Sequence, residues 1–352
     1  MNRITNRIHL WLGLWAVCLM VSPGVKAEDT LPLIGGGVVG AVFDYEAQAG
    51  ETLARIGSRF GVSQPVLASQ NGLKPNAKLL PGQKIAIDNQ HIVPLVKTAG
   101  LLINIPQRML FYFSEAEEQQ QRPNMPASAQ NALQSQSPIE LHLSELHLSP
   151  QPAPDVQSDA QVPPSVRLVA AYPVGLGMPT WPTPQGMFKV LNKSDNKTWI
   201  VPLSIQEEMR KKGQEVQKSV PPGPKNPLGK YWIGLSMNSI GIHGTLAPAS
   251  IYLFKSHGCI RLHPDDIEVL FSKVVVGTQG RIIYSPVLMT EANGRIFIEV
   301  HPDSYNRGSV SLAALEKLAH QNAWFEQIDW VKAAEVLKLK EGIARDVTLI
   351  TP

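Results

Sequence analysis

The chain has 352 residues, 43% of them hydrophobic, which is enough for two or three domains with packed cores. This composition excludes a fibrous or wholly disordered protein. The formal net charge is +3, but the first 27 residues hold Arg3, Arg7 and Lys26 and no acidic residue. Without them, 29 basic residues stand against 29 acidic ones, so the charge does not support a nucleic-acid partner.

The first 27 residues have the pattern of a secretory signal. Basic residues precede an apolar run at 10–21, which is short for a membrane span, and small residues occupy the cleavage positions around Ala27. We therefore expect a mature chain that begins near Glu28 and lies in the periplasm or cell envelope. The alternative is an uncleaved membrane anchor. Cys18 leaves with the signal, so Cys259 becomes the only thiol of an exported protein.

Residues 43–88 predict a small strand-helix-helix-strand module. A strand at 43–47 precedes a helix that ends at Gly61, Ser63 can cap a second helix, and a closing strand follows at 84–87. The module resembles a LysM domain in the segments 45–53, 60–62, 71–73 and 80–85. The resemblance implies an α+β fold that binds glycan chains containing N-acetylglucosamine. The alternative is a packing domain without a ligand.

A predicted hairpin at 98–114 opens a second domain, which we expect to end at residue 286. Its two strands alternate in hydrophobicity on either side of Pro106. The next segment, 115–165, has nine Gln, eight Pro and no Gly, a composition typical of a disordered insertion. Alternating apolar residues at 139–148 are compatible with an edge strand or a partner-docking segment, but a loosely ordered loop is the favoured interpretation.

Strand patterns dominate the rest of the second domain. They occur at 167–172, 186–191, 231–235, 240–243 and 281–284. Only residues 265–273 predict a clear helix, so we expect a mainly β domain. The long irregular segment at 199–229 is typical of a functional lid.

The C-terminal residues 287–352 predict a small α/β appendix. A hairpin of strands at 287–290 and 295–300 turns at Asn293-Gly294, and two amphipathic helices follow near 312–320 and 330–339.

The residue types around Cys259 indicate a nucleophilic thiol. A cysteine attacks as thiolate, so it needs a nearby base, and His243 and His257 bracket it in sequence. Gly258 leaves space for a substrate carbonyl, backbone N–H groups of a tight turn can hold an oxyanion, and Arg261 can bind a carboxylate. The motif runs Ser256-His257-Gly258-Cys259-Ile260-Arg261, preceded by His243-Gly244-Thr245.

This motif resembles the catalytic signature of the L,D-transpeptidases, with His243 sixteen positions before Cys259. Residues 220–229 and Asp266 also fit the family. The resemblance implies a β-sandwich domain with a short helix after the cysteine motif. It also implies an enzyme that needs no metal or organic cofactor and is acylated by carbapenems.

The resemblance implies a role for each motif residue. Cys259 is the nucleophile, His243 is its base, and the Gly244 carbonyl orients His243. The N–H groups of His257, Gly258 and Cys259 hold the oxyanion. Substrate-binding roles fall on Arg261, Ser256 and Thr245.

The implied reaction acts on peptidoglycan. Cys259 attacks the carbonyl of the third residue of a tetrapeptide stem, D-Ala leaves, and the thioester passes to an amine. The product is a 3→3 cross-link or an attached envelope protein. We expect a monomer.

Several alternatives stay open from the sequence. A hydrolase could use the same thioester with water as acceptor, and a glycan-binding envelope protein would not use Cys259 at all. Cys259 could be an inert buried thiol, or it could form a zinc site with His243, His257 and His263. The other histidines have the pattern of surface or loop residues: His91, His142, His147, His301 and His320.

Overall fold

The computed structural model describes residues 32–115 and 166–350. The expected signal and nearly all of the Gln/Pro-rich insertion, with His142, His147 and the pattern at 139–148, lie outside these ranges. Within them, no helix has the length and apolar character that a membrane crossing requires.

The LysM-like module has the predicted order of elements. Its strands pair antiparallel and enclose two short helices: β2 (Val42–Glu46), α1 (Leu53–Phe60), α2 (Gln64–Gln70) and β3 (Lys84–Asp88). Thr52 caps α1 through its side chain, and Gly61 ends it in the left-handed region at φ 76°. The predicted side-chain cap at Ser63 is wrong, because Ser63 makes no capping hydrogen bond and Pro65 shapes the first turn of α2 instead.

An eight-stranded sheet forms the middle of the chain and runs in the order β15-β13-β12-β9-β16-β5-β6-β7. The strands are β5 (Gly100–Asn104), β6 (Met109–Glu115), β7 (Val166–Pro173), β9 (Gly186–Asp195), β12 (Tyr231–Leu235), β13 (Gly241–His243), β15 (Ile260–Arg261) and β16 (Gln279–Ile283). Two short pairs lie beside it: β8 (Leu176–Gly177) with β14 (Phe254–Ser256), and β10 (Trp199–Ile200) with β11 (Ser219–Val220).

The sheet curls until its two ends meet. Gly175, just after β7, exchanges two backbone hydrogen bonds of 2.8 Å with Arg261 in β15. The sheet therefore encloses one main core, which includes Ile103, Phe188 and Ile242. Helix α4 (Pro264–Lys273) follows the cysteine motif and packs Ile267 against this core. The predictions of a mainly β domain and of a short helix after the motif are confirmed.

The expectation of a single helix in this domain is wrong. Helix α3 (Leu203–Lys211) lies inside the segment 199–229. It buries little apolar surface, since Gln206 is its only buried residue and Leu203 is 78% exposed. Ion pairs along one face, Glu207 with Arg210 and Glu208 with Lys212, support it locally. A helix held by such pairs shows no apolar periodicity, so the sequence pattern missed it.

The C-terminal hairpin joins a larger sheet than the sequence predicted. Strands β17 (Val287–Ala292) and β18 (Arg295–Val300) form it, followed by α5 (Leu312–Gln321), α6 (Trp330–Leu339) and β19 (Arg345–Asp346). Two strands from the other end of the chain extend the sheet: β1 (Leu33–Val39) pairs parallel with β17, and β4 (His91–Pro94) pairs with β1. Strands on both sides of the LysM-like module therefore complete the sheet of the C-terminal α/β part.

The placement of His91 and His301 on the surface or in loops is also wrong. His91 lies in β4 and His301 just after β18, and both are buried against the fully buried Glu299. The Glu299 carboxylate accepts from His91 Nδ1 at 2.8 Å and from His301 Nε2 at 2.7 Å. A buried polar side chain is stable only with such partners, and these come from distant parts of the chain. His320, in contrast, is exposed on α5 as expected.

The LysM-like module packs against the curled sheet. Helix α1 contacts a short 3₁₀-helix, Pro248–Ser250, which follows β13. Arg59 of α1 lies 3.6 Å from Asp265 at the start of α4, although both side chains are largely exposed. Such an exposed pair contributes little to stability, but it sets the module beside the helix that follows the cysteine motif.

Candidate active site

Strand pairing brings the two halves of the motif together. Strands β13 and β15 run parallel, with Ile242 opposite Ile260 and His243 opposite Arg261. Cys259 lies two residues before Arg261, just outside β15, so the pairing places the segment of Cys259 beside the strand that carries His243.

Cys259 is half-buried and carries a free thiol. Its Sγ lies 3.6 Å from the carbonyl oxygen of Ser239, in the turn before β13. Burial raises the pKa of this thiol, which the Gly241 backbone and the positive charge of Arg261 offset in part. The net direction is upward from an ordinary value of 9.0, so the resting sulfur carries its proton at neutral pH.

His243 is buried and held in one orientation. Its Nδ1 donates to the Gly244 carbonyl oxygen at 2.6 Å, which leaves the Nε2 lone pair free to accept a proton. The ring stacks on Trp232 at a centroid distance of 5.9 Å. Burial and the charge of Arg261 lower its pKa to about 4, against the opposing effect of the Gly244 and Leu228 carbonyls. His243 is therefore a neutral base through the physiological range.

These two pKa shifts predict the pH dependence of thiol reactivity. The lowered pKa of His243, about 4, and the raised pKa of the Cys259 thiol both disfavour a thiolate–imidazolium pair in the resting protein. We expect the rate of Cys259 alkylation by iodoacetamide to rise steeply above pH 8 and to show no plateau between pH 5 and 8. Intact-mass measurements across this range test it; a plateau at pH 6–7 would reveal a preformed thiolate and contradict the prediction.

Arg261 connects the motif to the sheet closure. Its backbone pairs with Gly175, while its guanidinium lies 3.5 Å from the Ser250 hydroxyl. Burial lowers its pKa, and the neighbouring Cys259 raises it in part. Because its charge acts on both His243 and Cys259, Arg261 favours the thiolate and disfavours the imidazolium.

A tight turn precedes the nucleophile. Gly258 has φ 106°, a backbone conformation that residues other than glycine rarely adopt. The buried Ser256 hydroxyl donates to the Cys259 carbonyl at 2.5 Å and accepts from the Gly258 N–H at 3.2 Å. The Gly258 N–H is therefore already engaged.

Two residues with expected substrate contacts turn inward instead. The Ser256 hydroxyl is hydrogen-bonded within the turn. Thr245 is buried, and its Oγ1 accepts from the Ala247 N–H at 3.1 Å. Each hydroxyl bonds to a nearby backbone group, a local use that is common for Ser and Thr. The substrate-binding role expected of both stays a prediction.

His257 points to the 199–229 segment. Its Nε2 lies 3.2 Å from a carboxylate oxygen of Glu208 in α3, and its ring packs 5.5 Å from that of Trp181. This agrees with a hydrogen-bonding role for His257 in preference to that of a second base. It also ties α3 to the residue two positions before the nucleophile.

The alternative zinc site does not assemble. His243 bonds to Gly244, His257 contacts Glu208, and His263 contacts Asp265. Within residues 32–115 and 166–350, only His91, Glu299 and His301 come close enough together to share a metal ion. The Glu299 oxygens there already accept hydrogen bonds from Gln107, from the Ile92 N–H and from both imidazoles, so we interpret this group as a hydrogen-bond network.

Two residues that support the site, Thr183 and Trp232, carry no signal in the sequence. Thr183 is fully buried, and its hydroxyl donates to the Gly258 carbonyl at 2.9 Å. The Trp232 ring stacks on the ring of His243. Asn226, which the family resemblance did mark, is buried, donates to three backbone carbonyls and accepts from the Leu228 N–H, so it fixes the segment that faces His243. Only Asn226 carried a signal in the sequence.

Known proteins were compared with the chain. The family model of the L,D-transpeptidase catalytic domain (YkuD) matches residues 162–288, and that of the LysM domain matches residues 45–88. The chain is 30% identical to the probable L,D-transpeptidase ErfK/SrfK of Escherichia coli, over 79% of this chain and 75% of that protein. It is 27% identical to the probable L,D-transpeptidase YcfS of the same organism, over 85% and 81%.

Solved structures give a weaker match. The crystal structure of L,D-transpeptidase 3 from Mycobacterium tuberculosis is 15% identical to this chain. The match has a TM-score of 0.30 and covers 72% of this chain and 95% of that one. The family assignment rests on the two Escherichia coli proteins, because the matches cover 75% and 81% of their own length. The chain belongs to the L,D-transpeptidase family and contains an N-terminal LysM domain.

Proposed function

We propose that this protein is a peptidoglycan L,D-transpeptidase with Cys259 as nucleophile and His243 as general base. The observation that carries the proposal is the pairing of β13 with β15, which sets His243 opposite Arg261, two residues after Cys259. The proposed catalytic unit extends from about residue 98 to 286, since β5 and β6 belong to the same sheet as the motif strands.

In the first half-reaction, His243 Nε2 takes the thiol proton as Cys259 Sγ attacks the carbonyl carbon of the third stem residue. A carbon–sulfur bond forms and an oxyanion develops. The Gly258 N–H is engaged by Ser256, so the amides of Cys259 and His257 are the proposed oxyanion donors. The oxyanion then collapses, the carbon–nitrogen bond to D-Ala breaks, and His243 returns the proton to the leaving amine.

In the second half-reaction, an amine attacks the thioester. A carbon–nitrogen bond forms, the carbon–sulfur bond breaks, and the amine proton passes through His243 to the departing thiolate. The acyl acceptor is a stem diamino acid, which gives a 3→3 cross-link, or the amine of an envelope protein. Arg261 lies where its charge lowers the energy of the thiolate in both halves.

The LysM domain is the proposed anchor on the polymer. Its family binds glycan chains that contain N-acetylglucosamine, and here it packs beside the start of α4. Glycan held by this domain would present its stem peptides close to the motif, at a high effective concentration. This arrangement requires export to the cell envelope, where peptidoglycan lies.

The test is incubation of the purified protein with a disaccharide-tetrapeptide, followed by mass spectrometry. We expect a product with the mass of a cross-linked dimer that has lost one D-Ala, and no product from Cys259→Ala. His320→Ala, which removes an exposed histidine far along the chain, is the matched control and should retain activity. Tripeptide without dimer would identify a hydrolase, and an unchanged substrate would overturn both enzymatic functions.

A further inference from the structure

We propose that Thr183 is a positioning residue that orients the Cys259 amide toward the oxyanion. Thr183 is held in turn by Tyr305, which lies after the residues matched by the catalytic-domain model, 162–288. The inference rests on the proposed acyl transfer by Cys259. It assigns a task to two side chains outside the motif, one of which lies in the C-terminal part of the chain.

The argument begins with one peptide group. The Gly258 carbonyl and the Cys259 N–H belong to the same planar unit and point in opposite directions. The fully buried Thr183 hydroxyl donates to that carbonyl at 2.9 Å and so holds it toward the protein interior. The Cys259 N–H must then point away from the interior. Gly258 has φ 106°, and glycine has large conformational freedom in this region. The orientation of the Gly258–Cys259 peptide group therefore depends on a hydrogen bond from outside the turn.

Thr183 is itself held by two residues. Its Oγ1 accepts from the Gly177 N–H at 2.9 Å, which directs the hydroxyl proton to Gly258. Its own N–H donates to the Tyr305 hydroxyl at 3.2 Å, and that hydroxyl donates to the Gly177 carbonyl at 2.6 Å. Gly177 and Tyr305 thus clamp the residue on which the Gly258 carbonyl depends.

Tyr305 is anchored as a rigid support. Its ring stacks on Tyr284 at 5.7 Å and packs on Phe254 at 5.4 Å. Its N–H donates to the Tyr284 hydroxyl at 3.0 Å, and that hydroxyl donates in turn to Asp303. Since residue 305 lies beyond the family match at 162–288, the C-terminal part of this chain supplies a support for the proposed oxyanion site.

A pair of reactions on Cys259 tests the proposal. Acylation by a carbapenem develops an oxyanion, whereas alkylation by iodoacetamide does not, and both need the same thiol. We expect Thr183→Val to lower the acylation rate constant about tenfold or more and to change the alkylation rate less than twofold. Thr183→Ser, which keeps the hydroxyl, should restore acylation. Tyr305→Phe, which keeps the ring contacts, should lower acylation by a smaller factor.

Matched controls remove equivalent groups elsewhere. Thr290→Val deletes a buried hydroxyl that donates to the Gly35 carbonyl at 3.0 Å, and Tyr231→Phe deletes an exposed tyrosine hydroxyl that donates to Glu268 at 2.9 Å. Both should acylate at the wild-type rate. Equal losses of acylation and alkylation in Thr183→Val and Tyr305→Phe would mean a merely structural role and overturn the proposal, as would wild-type acylation in both. If the wild-type protein itself resists acylation, the proposed function fails first.

Discussion

Replacing His243 with alanine should slow the acylation of Cys259 by a carbapenem by about 10²- to 10⁴-fold at pH 7. The thiol has a raised pKa and the imidazole a lowered one, near 4, so attack depends on proton transfer to His243 during the step itself. Without that base, only the small fraction of ionised thiol reacts. Intact-mass kinetics of the Cys259 adduct measure the effect.

The pH dependence of this loss separates a base from a structural residue. As the pH rises above the thiol pKa, the thiolate forms without help, so the gap between wild type and His243→Ala should narrow steadily toward pH 10. Imidazole added to the variant should recover part of the rate at pH 7. A gap that stays constant from pH 6 to 10 would show that His243 only supports the fold. His320→Ala is again the matched control.

The motif was predictable because its residues are close in sequence and act on one another directly. His243 bonds to its neighbour Gly244, and the pairing of two strands sets His243 opposite Arg261, two residues after Cys259. The supports were not predictable. Thr183 reaches Gly258 across 75 positions, and Tyr305 reaches Thr183 across 122. Nothing in a lone threonine or tyrosine indicates which distant carbonyl or amide it will bind.

The fold divides in the same way. Strands with alternating apolar residues, such as β5 and β12, were predicted because the pattern is local. Strand β1 was missed because it contains three consecutive glycines, which argue against a strand. The structure explains one of them: a Cβ on Gly35 would lie 2.2 Å from the Ile92 side chain and 3.0 Å from that of Thr290. Glycine there permits close contact between strands that are distant in sequence.

Glu299 is the strongest case of long-range dependence. It is fully buried and receives hydrogen bonds from His91 at 2.8 Å, His301 at 2.7 Å and Gln107 at 3.1 Å. His91 also faces the Gly61 carbonyl with its other ring nitrogen, at 3.0 Å. Both partners of His91 are acceptors, so its ring donates from both nitrogens and carries a positive charge beside the carboxylate.

This network joins the LysM domain, the eight-stranded sheet and the C-terminal sheet. Gly61 ends the first LysM helix, His91 lies in β4, Gln107 lies in the turn between β5 and β6, and Glu299 lies in β18. His91, His301 and Gln107 each lose a hydrogen-bond partner if the carboxylate is removed. Replacing Glu299 with glutamine would also turn an amide donor toward groups that are all donors.

We therefore expect Glu299→Gln to destabilise the protein by about 3–5 kcal/mol at pH 7. This corresponds to a fall in Tm on the order of 10 °C. Glu291→Gln, which alters an exposed carboxylate on the neighbouring strand β17, is the matched control and should shift Tm by less than about 2 °C. Thermal unfolding followed by circular dichroism measures both variants.

The pH dependence gives this prediction a sign. Burial raises the pKa of Glu299, but the charge of His91 and the hydrogen bonds from His301 and His91 lower it by more. The net effect is a fall in this pKa from 4.5 to about 2. Because the folded pKa lies below the unfolded one, the stabilising contribution is fully present above pH 4.5 and is lost as the pH falls toward 2. The difference in Tm between wild type and Glu299→Gln should therefore be constant from pH 5 to 7 and shrink below pH 4.5. A difference that instead grows on acidification would mean that Glu299 is buried as the neutral acid, and the charged network inferred from His91 would be wrong.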